Sequence, residues 1–195
     1  MSKESEANLC NITDNICQGD VFKDVKYSYI DFENEDTIEV VEYSFPLAII
    51  ISQGCDVISM GEMAIGKKGK STKFMPALLL CPIYDANVAK EKKHVEQMFS
   101  VLSIQNIDSA NEKLFNSNEW NLAKNDWHYR YHALAVKINK KVVLENALID
   151  FKHYFTVPAS YLVNNRQNRI FHLDDLFSEQ VTLKFSTYLS RVAIP

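Results

Sequence analysis

The sequence predicts a β-rich α+β domain that ends in a packed helix, and three observations carry this prediction. Residues 47–52 and 77–83 are apolar runs of strand length, so both are predicted to be buried strands. Residues 37–43 alternate polar and apolar side chains, which is typical of a half-exposed strand. Near the C-terminus, apolar residues recur at helical spacing and predict an amphipathic helix.

The length and composition fit one core. The chain has 195 residues, of which 47% are hydrophobic and 24% charged, and a chain of this size can bury a sizeable core. Residues 1–16 are polar without periodicity and are expected to be a flexible leader. Residues 17–195 are expected to form a single domain, with a helical insertion at about 86–126 where the composition changes.

The remaining elements follow from local patterns. Further strands are expected at 21–26, 129–138, 141–144 and 147–155, and a charged helix at 88–99. Residues 61–73 hold three glycines and four lysines and are predicted to be an exposed loop. For the last helix, Asp174 or Asp175 is a suitable N-cap. Its predicted apolar stripe is Phe177, Val181, Phe185, Tyr188, Leu189 and Val192.

Charge and cysteine usage limit the function classes. A net charge of −4 and a pI near 5.7 argue against a protein built mainly to coat nucleic acid. The four cysteines lack C-x-x-C spacing and are expected to be free thiols. No apolar run approaches the roughly 20 residues that cross a bilayer, and the N-terminus lacks a signal-peptide pattern. We therefore expect a cytoplasmic protein without a membrane association.

The first candidate site is the turn that follows the strand at 47–52. It carries Cys55 and Asp56, and groups at strand ends often bind or catalyse. A thiol becomes a nucleophile when an imidazole or a cation lowers its pKa, and His153 is the expected partner because it lies near a strand end. The alternative is structural: Cys55 is a small turn residue, and Asp56 bonds the turn's own amides.

A metal site is not expected, although the ligand types exist. Cys55, Asp56, His128, His132 and His153 all offer suitable atoms. His128 and His132 would share one strand face, but four residues along a strand span about 13 Å, too far for one ion. The paired short spacings that structural zinc prefers are also absent from the sequence.

Two loops offer contacts for nucleic acid. Arg166 and Arg169 lie in an amide-rich segment before the last helix, while Lys67 and Lys68 lie in the glycine-rich loop. Guanidinium and ammonium groups bind phosphates, and the aromatic residues at 127–131 can stack on bases. The alternative is a solvated loop and ordinary sheet aromatics, which the acidic net charge favours.

Three motifs in order carry a family resemblance. They are GDVF at 19–22, PLAIIIS at 46–52 and LLCPI at 79–83, and the chain resembles the PemK/MazF-like proteins through them. The resemblance covers roughly residues 17–84 and implies a mainly antiparallel SH3-like β-barrel with a C-terminal helix. It also implies a sequence-selective endoribonuclease that works without a metal or cofactor.

The sequence departs from that family at two places. Family toxins carry an arginine directly before the proline of the central strand, where this chain has Phe45, so a catalytic arginine is not carried over to position 45. They also lack the S-Q-x-C-D turn. This turn and the closing helix look like a larger group of prophage and bacterial conflict-island proteins.

The resemblance leaves two functions open. The first is a toxin-like or anti-phage defence protein that acts on or binds RNA or another nucleic acid. If it cleaves RNA, the site is expected near Ser52, Cys55, Asp56, His153, Arg166 and Arg169. The second is a non-enzymatic adaptor in a multi-protein toxin–antitoxin or anti-phage system. A protein partner encoded nearby is expected, and a homodimer is a further alternative.

Overall fold

The computed structural model describes residues 5–9, 15–34, 37–91, 93–101 and 117–191, and it confirms a mixed α+β protein with a mainly antiparallel sheet. The strands are β1 Ser5–Leu9, β2 Asp20–Asn34, β3 Thr37–Ile50, β4 Leu78–Asp85, β5 Tyr131–Ile138, β6 Lys141–Asp150, β7 Phe155–Val157 and β8 Arg169–Leu173. The helices are α1 Gly54–Ala64, α2 Ala86–Lys90, α3 Lys93–Val101, α4 Ser117–Lys124, α5 Ala159–Asn164 and α6 Asp175–Leu189.

The strands form one sheet that curves back on itself. Their order is β3-β2-β8-β1-β5-β6-β4-β7, and β3 also pairs with β4. One edge of β4 therefore contacts β3, while its other edge contacts β6 and β7. Only the β1–β5 pair is parallel among the described strands. The result is a curved, half-barrel sheet of the antiparallel type.

The central strand β3 joins two of the predicted strands into one. Its ladder with β2 pairs Lys23 with Leu47 and Val25 with Phe45, and skips Asp24 and Pro46 between them. A proline cannot donate to a ladder, and Asp24 opposite it has a φ of 52°. This break in the ladder lets β3 continue through the proline that was expected to begin a new strand.

Both faces of the central strands are buried, which explains their continuous apolar runs. Ala48 and Ile50 belong to one core cluster, together with residues of α1, α2 and α5. Ile49, between them, belongs to a second cluster with residues of α6. The predicted apolar stripe of α6 is confirmed for the buried residues Phe177, Val181 and Phe185, whereas Leu189 is exposed and Val192 lies outside the described residues.

The start of α6 is confirmed at the predicted cap. The Asp174 carboxylate accepts a 2.8 Å hydrogen bond from the Phe177 amide, which satisfies one of the free N–H groups of the first turn. Gln18 then ties α6 to the start of α1. Its amide donates to Thr182 Oγ1 at 2.6 Å and accepts from the Gly54 amide at 2.8 Å.

Two of the predicted boundaries need correction. Residues 5–9 of the expected leader form β1, which pairs with both β5 and β8. The expected loop at 61–73 begins inside α1, which continues to Ala64. The expected insertion holds α2, α3 and α4, although residues 102–116 lie outside the described part of the chain. None of the described helices has the length and apolar character needed to cross a membrane.

Candidate functional site

The candidate site is centred on Asp150, the last residue of β6, whose side chain is 0% exposed. Arg130 donates two hydrogen bonds to its carboxylate, from Nε to Oδ1 at 2.8 Å and from Nη2 to Oδ2 at 2.7 Å. The Lys152 amide donates to Oδ1 at 3.0 Å, and His153 Nδ1 lies 2.8 Å from Oδ2. A buried carboxylate is stable in this setting because every oxygen is hydrogen-bonded and its charge is paired.

These contacts keep Asp150 ionised. Burial alone would raise the pKa of the Asp150 carboxyl, but hydrogen bonds from Arg130 and His153 outweigh burial and hold that pKa well below its usual range. An ionised carboxylate only accepts hydrogen bonds, so the 2.8 Å contact assigns the His153 proton to Nδ1. The other nitrogen, Nε2, has no hydrogen-bond partner among the described residues and carries the lone pair. His153 is therefore oriented as a proton acceptor.

His153 lines a cavity of about 210 Å³ with mostly aromatic walls. Phe45 and Phe155 stack with their ring centroids 4.2 Å apart, and Tyr43 meets Phe45 edge-on at 4.7 Å. The remaining lining residues are Tyr27, Met98, Lys152 and Tyr154. The cavity thus combines flat apolar surfaces with one imidazole and one ammonium group, a composition suited to a nucleobase and its phosphate.

His94, on the first turn of α3, is a further member of this cluster. Its side chain is 1% exposed, and its ring lies 4.5 Å from that of Tyr84 and 6.1 Å from that of His153. Nε2 is 3.8 Å from Asp150 Oδ2, which is beyond hydrogen-bond distance. Neither nitrogen of His94 has a hydrogen-bond partner in the described part of the chain.

The ligand-type atoms of His94, Asp150 and His153 all lie within 4.8 Å of one another, as a metal site would require. Arg130 argues against an ion there. Its terminal nitrogen lies 2.7 Å from Asp150 Oδ2 and 3.5 Å from His153 Nδ1, so a guanidinium already occupies the position of a cation. A second positive charge would be repelled at this buried point. The arrangement fits an ion-pair cluster better than a metal centre.

The predicted partners Cys55 and His153 do not contact each other. Cys55 lies on the first turn of α1, and its Sγ is 3.1 Å from Lys73 Nζ and 3.5 Å from Asp56 Oδ1. Lys73 also donates a hydrogen bond to the Asp56 carboxylate, and this bond lowers the pKa of Asp56. Within the described ranges, no imidazole is a hydrogen-bond partner of Cys55. Nearby, Ser52 Oγ accepts from the Leu79 amide at 2.8 Å and joins the end of β3 to β4.

The four predicted phosphate-binding residues have different surroundings. Lys67 forms a 3.2 Å ion pair with Glu62, and Lys68 is exposed. Arg166 is half-buried in a 3₁₀ turn before β8. The Arg169 side chain is only 2% exposed, so it is in no position to reach a phosphate in solution. Arg169 therefore has a structural place instead of the predicted nucleic-acid contact.

Arg169 belongs to a buried network at the Gly19-Asp20 turn. One of its terminal nitrogens lies 3.0 Å from Asp20 Oδ2 and 2.7 Å from the Asn15 carbonyl oxygen. His172 Nδ1 lies 3.1 Å from Asp20 Oδ1. Gly19 has a φ of 86°, and a Cβ at this position would overlap the Ser178 side chain. The turn is thus fixed by packing against α6 and by the ion pairs of Asp20.

The network predicts a pH-dependent contribution of His172 to stability. Its hydrogen bond with Asp20 raises the pKa of His172 above its usual value, despite the opposing effect of burial. The folded state therefore holds the proton more tightly, and this stabilisation is fully present below about pH 6.5 and is lost as the pH rises through the folded pKa. The free energy of unfolding in urea should be higher for wild type than for His172→Gln, and this difference should be larger at pH 6 than at pH 8. A constant difference at both pH values would contradict this assignment.

The other histidines are used within the fold and do not gather around one ion. His128 Nδ1 accepts hydrogen bonds from the amides of Arg130 and Tyr131, at 3.1 and 3.0 Å. His132 Nδ1 lies 2.8 Å from Asp126 Oδ1. Burial lowers the pKa of His132.

Sequence reasoning selected His153 but missed its partners. One signal in the sequence was an aspartate at the end of a strand, three residues before His153. An aspartate in such a turn commonly accepts a hydrogen bond from the amide two residues later, and Asp150 accepts from the Lys152 amide in this way. The turn brings His153 back to the same carboxylate. Arg130 is brought to Asp150 by the β5–β6 register, in which Tyr131 pairs with Asp150. His94 reaches the cluster through the packing of α3.

Comparison with known proteins does not extend this picture. No protein-family model, curated protein or solved structure matches the chain.

Proposed function

We propose that this protein acts on RNA and cleaves it at the His153 cavity without a metal ion. The observation that carries the proposal is the Asp150–His153 pair beside the aromatic cavity. A buried carboxylate fixes the imidazole with Nε2 unprotonated, next to walls that can hold a base. An oriented imidazole of this kind is the usual general base in proton-transfer catalysis.

In the proposed reaction, His153 Nε2 accepts the proton of a ribose 2′-hydroxyl. The 2′-oxygen then forms a bond to the adjacent phosphorus, and the bond from phosphorus to the 5′-oxygen breaks. The leaving 5′-oxygen takes a proton from the Lys152 ammonium or from water. The products are a 2′,3′-cyclic phosphate and a 5′-hydroxyl, and no oxidant or metal is consumed.

The location of Phe45 supports the same site. PemK/MazF-like toxins carry an arginine directly before the proline of the central strand, and the equivalent position here is Phe45, which lines the His153 cavity. We propose that the cavity is the same as in the toxins but that other residues supply its positive charge, so that Phe45 can replace the arginine. Arg130 and Lys152 would supply the positive charge, the first by stabilising Asp150 and the second at the cavity itself.

The wider role follows from the resemblance and is part of the proposal. The curved sheet is proposed to be an SH3-like barrel, and the protein to be a cytoplasmic toxin or anti-phage defence component. A protein partner encoded nearby would control it. A site that cleaves cellular RNA has to be restrained, which is the reason to expect such a partner.

A non-enzymatic adaptor is the second candidate function. It is favoured by two exposed leucines on α6, Leu176 and Leu183, whose side chains are 66% and 70% exposed. Residues seven apart lie on the same helix face, so the two leucines form one apolar stripe. An adaptor would use this stripe for a protein partner and would leave RNA intact.

An RNA-cleavage assay in excess EDTA separates the two functions. We expect cleavage that EDTA does not prevent, with 2′,3′-cyclic phosphate and 5′-hydroxyl ends identified by mass spectrometry. The matched substrate has a 2′-deoxyribose at the cleaved position and should remain intact, because it lacks the attacking oxygen. Intact RNA under all conditions, or products with 5′-phosphate ends, would refute the proposed reaction.

A further inference from the structure

A second cavity lies next to the His153 cavity and has no part in the reaction above. Its volume is about 350 Å³, and its walls are mostly apolar, including Leu47, Ile83, Val88 and Leu144. Three polar residues also line it and are exposed, namely Asp85, Gln97 and Glu145. The cavity is large enough to hold a small organic ring.

Consecutive residues of two chain segments line the two cavities. On β3, Phe45 lines the His153 cavity and Pro46 the second cavity, while on α3 Met98 lines the first and Gln97 the second. The cavities are therefore close neighbours, with Phe45 of the first and Ile83 of the second in the two different core clusters.

His94 lies between the two cavities. Its ring is 4.5 Å from Tyr84, which lines the second cavity, and 6.1 Å from His153, which lines the first. His94 is also a buried polar side chain with no hydrogen-bond partner among the described residues. Buried groups of this kind usually have a partner, which can be a ligand or a water molecule. This imidazole is buried close to residues of both linings and lines neither cavity itself.

The polar groups of the second cavity favour ligands that donate hydrogen bonds. Asp85 Oδ1 accepts from the Asn87 and Val88 amides, which leaves Oδ2 for a ligand. Glu145 has no hydrogen bond or ion pair within the described part of the chain. Carboxylates accept from the exocyclic amino groups of bases, and they repel phosphates. A flat ring that carries an amino group therefore fits this cavity, whereas a phosphate does not.

We infer that the second cavity binds the base next to the cleaved bond and prefers bases with an amino group, above all cytosine or adenine, over uracil. This inference rests on the proposed function, because one RNA strand would place neighbouring bases in the two cavities. Unstacked single-stranded bases are commonly held in separate pockets in this way. The phosphate between them would remain on the side of Lys152.

Nucleosides without phosphate test the cavity independently of catalysis. In methyl-labelled protein, cytidine should shift the NMR signals of Val88 and Leu144, and uridine should bind roughly fivefold or more weakly. Glu145→Gln should reduce this preference, because the amide no longer offers a carboxylate. Glu179→Gln is the matched control, since Glu179 is an exposed glutamate on α6, and it should keep the preference.

The outcomes separate this inference from the proposed function. Cytidine binding without RNA cleavage would support the base subsite and remove the catalytic proposal. RNA cleavage with equal binding of cytidine and uridine at Val88 and Leu144, or with no shifts there, would overturn the subsite and leave catalysis standing. Shifts caused by a leucyl-lysine dipeptide amide but not by cytidine would overturn it in favour of a cationic protein segment.

Discussion

Replacing His153 with asparagine should lower the rate of RNA cleavage by at least about 100-fold, because general acid–base catalysis typically contributes 10²–10⁴-fold. Asparagine can still donate to Asp150, so the buried carboxylate keeps a partner and the fold should persist. The variant lacks a nitrogen that accepts a proton at neutral pH. Cleavage rates under single-turnover conditions measure the effect, and circular dichroism checks the fold.

The matched control for this variant is Cys55→Ala. Cys55 was the nucleophile that the sequence indicated, but its thiol contacts Lys73 and Asp56 in the described structure. Since Cys55 does not line the His153 cavity, cleavage by Cys55→Ala should match wild type. Full activity of His153→Asn, or loss of activity in folded Cys55→Ala, would show that the active site is not the His153 cavity.

Replacing Arg130 with methionine should destabilise the protein by about 3–5 kcal/mol, because it leaves the buried Asp150 carboxylate without its main partner. Methionine keeps part of the side-chain volume, so the loss reports mainly the charge. The free energy of unfolding in urea measures the effect at neutral pH. The variant should also lose stability less steeply on acidification, because the pKa of Asp150 will no longer be held as low.

Two further variants make this result specific to the buried pair. Lys26→Met breaks an exposed pair with Glu42, at 3.0 Å, and should change stability little, since exposed ion pairs contribute little. Arg130→Met combined with Asp150→Leu should recover part of the loss, because it removes both buried charges. An Arg130→Met variant as stable as Lys26→Met would contradict the role given to Asp150.

The fold could be predicted largely from local patterns. Continuous apolar runs indicated buried strands, and β3 and β4 are buried on both faces as such runs require. Asp174 was recognisable as a helix cap from its residue type and position. β1 was not recognisable, because its sequence offers two apolar residues, the buried Ala7 and the exposed Leu9, and two residues make no pattern.

The candidate site was only partly predictable, for a physical reason. Residue chemistry indicated His153 as a functional group, but the same chemistry paired it with Cys55. The choice between Cys55 and Asp150 depends on where α1 begins and where β6 ends in space. The contributions of Arg130 and His94 depend on strand register and helix packing, which are tertiary properties.

The most direct test of the central claim is whether a nucleotide binds against His153 Nε2. Histidine ¹⁵N NMR of wild type during titration with a 2′-O-methyl dinucleotide measures this without cleavage, and His153→Asn assigns the signal. We expect the His153 Nε2 signal to shift on saturation while the signals of His172, in the Asp20 network, stay in place. An unchanged His153 signal at saturating dinucleotide would show that the nucleotide binds elsewhere or not at all.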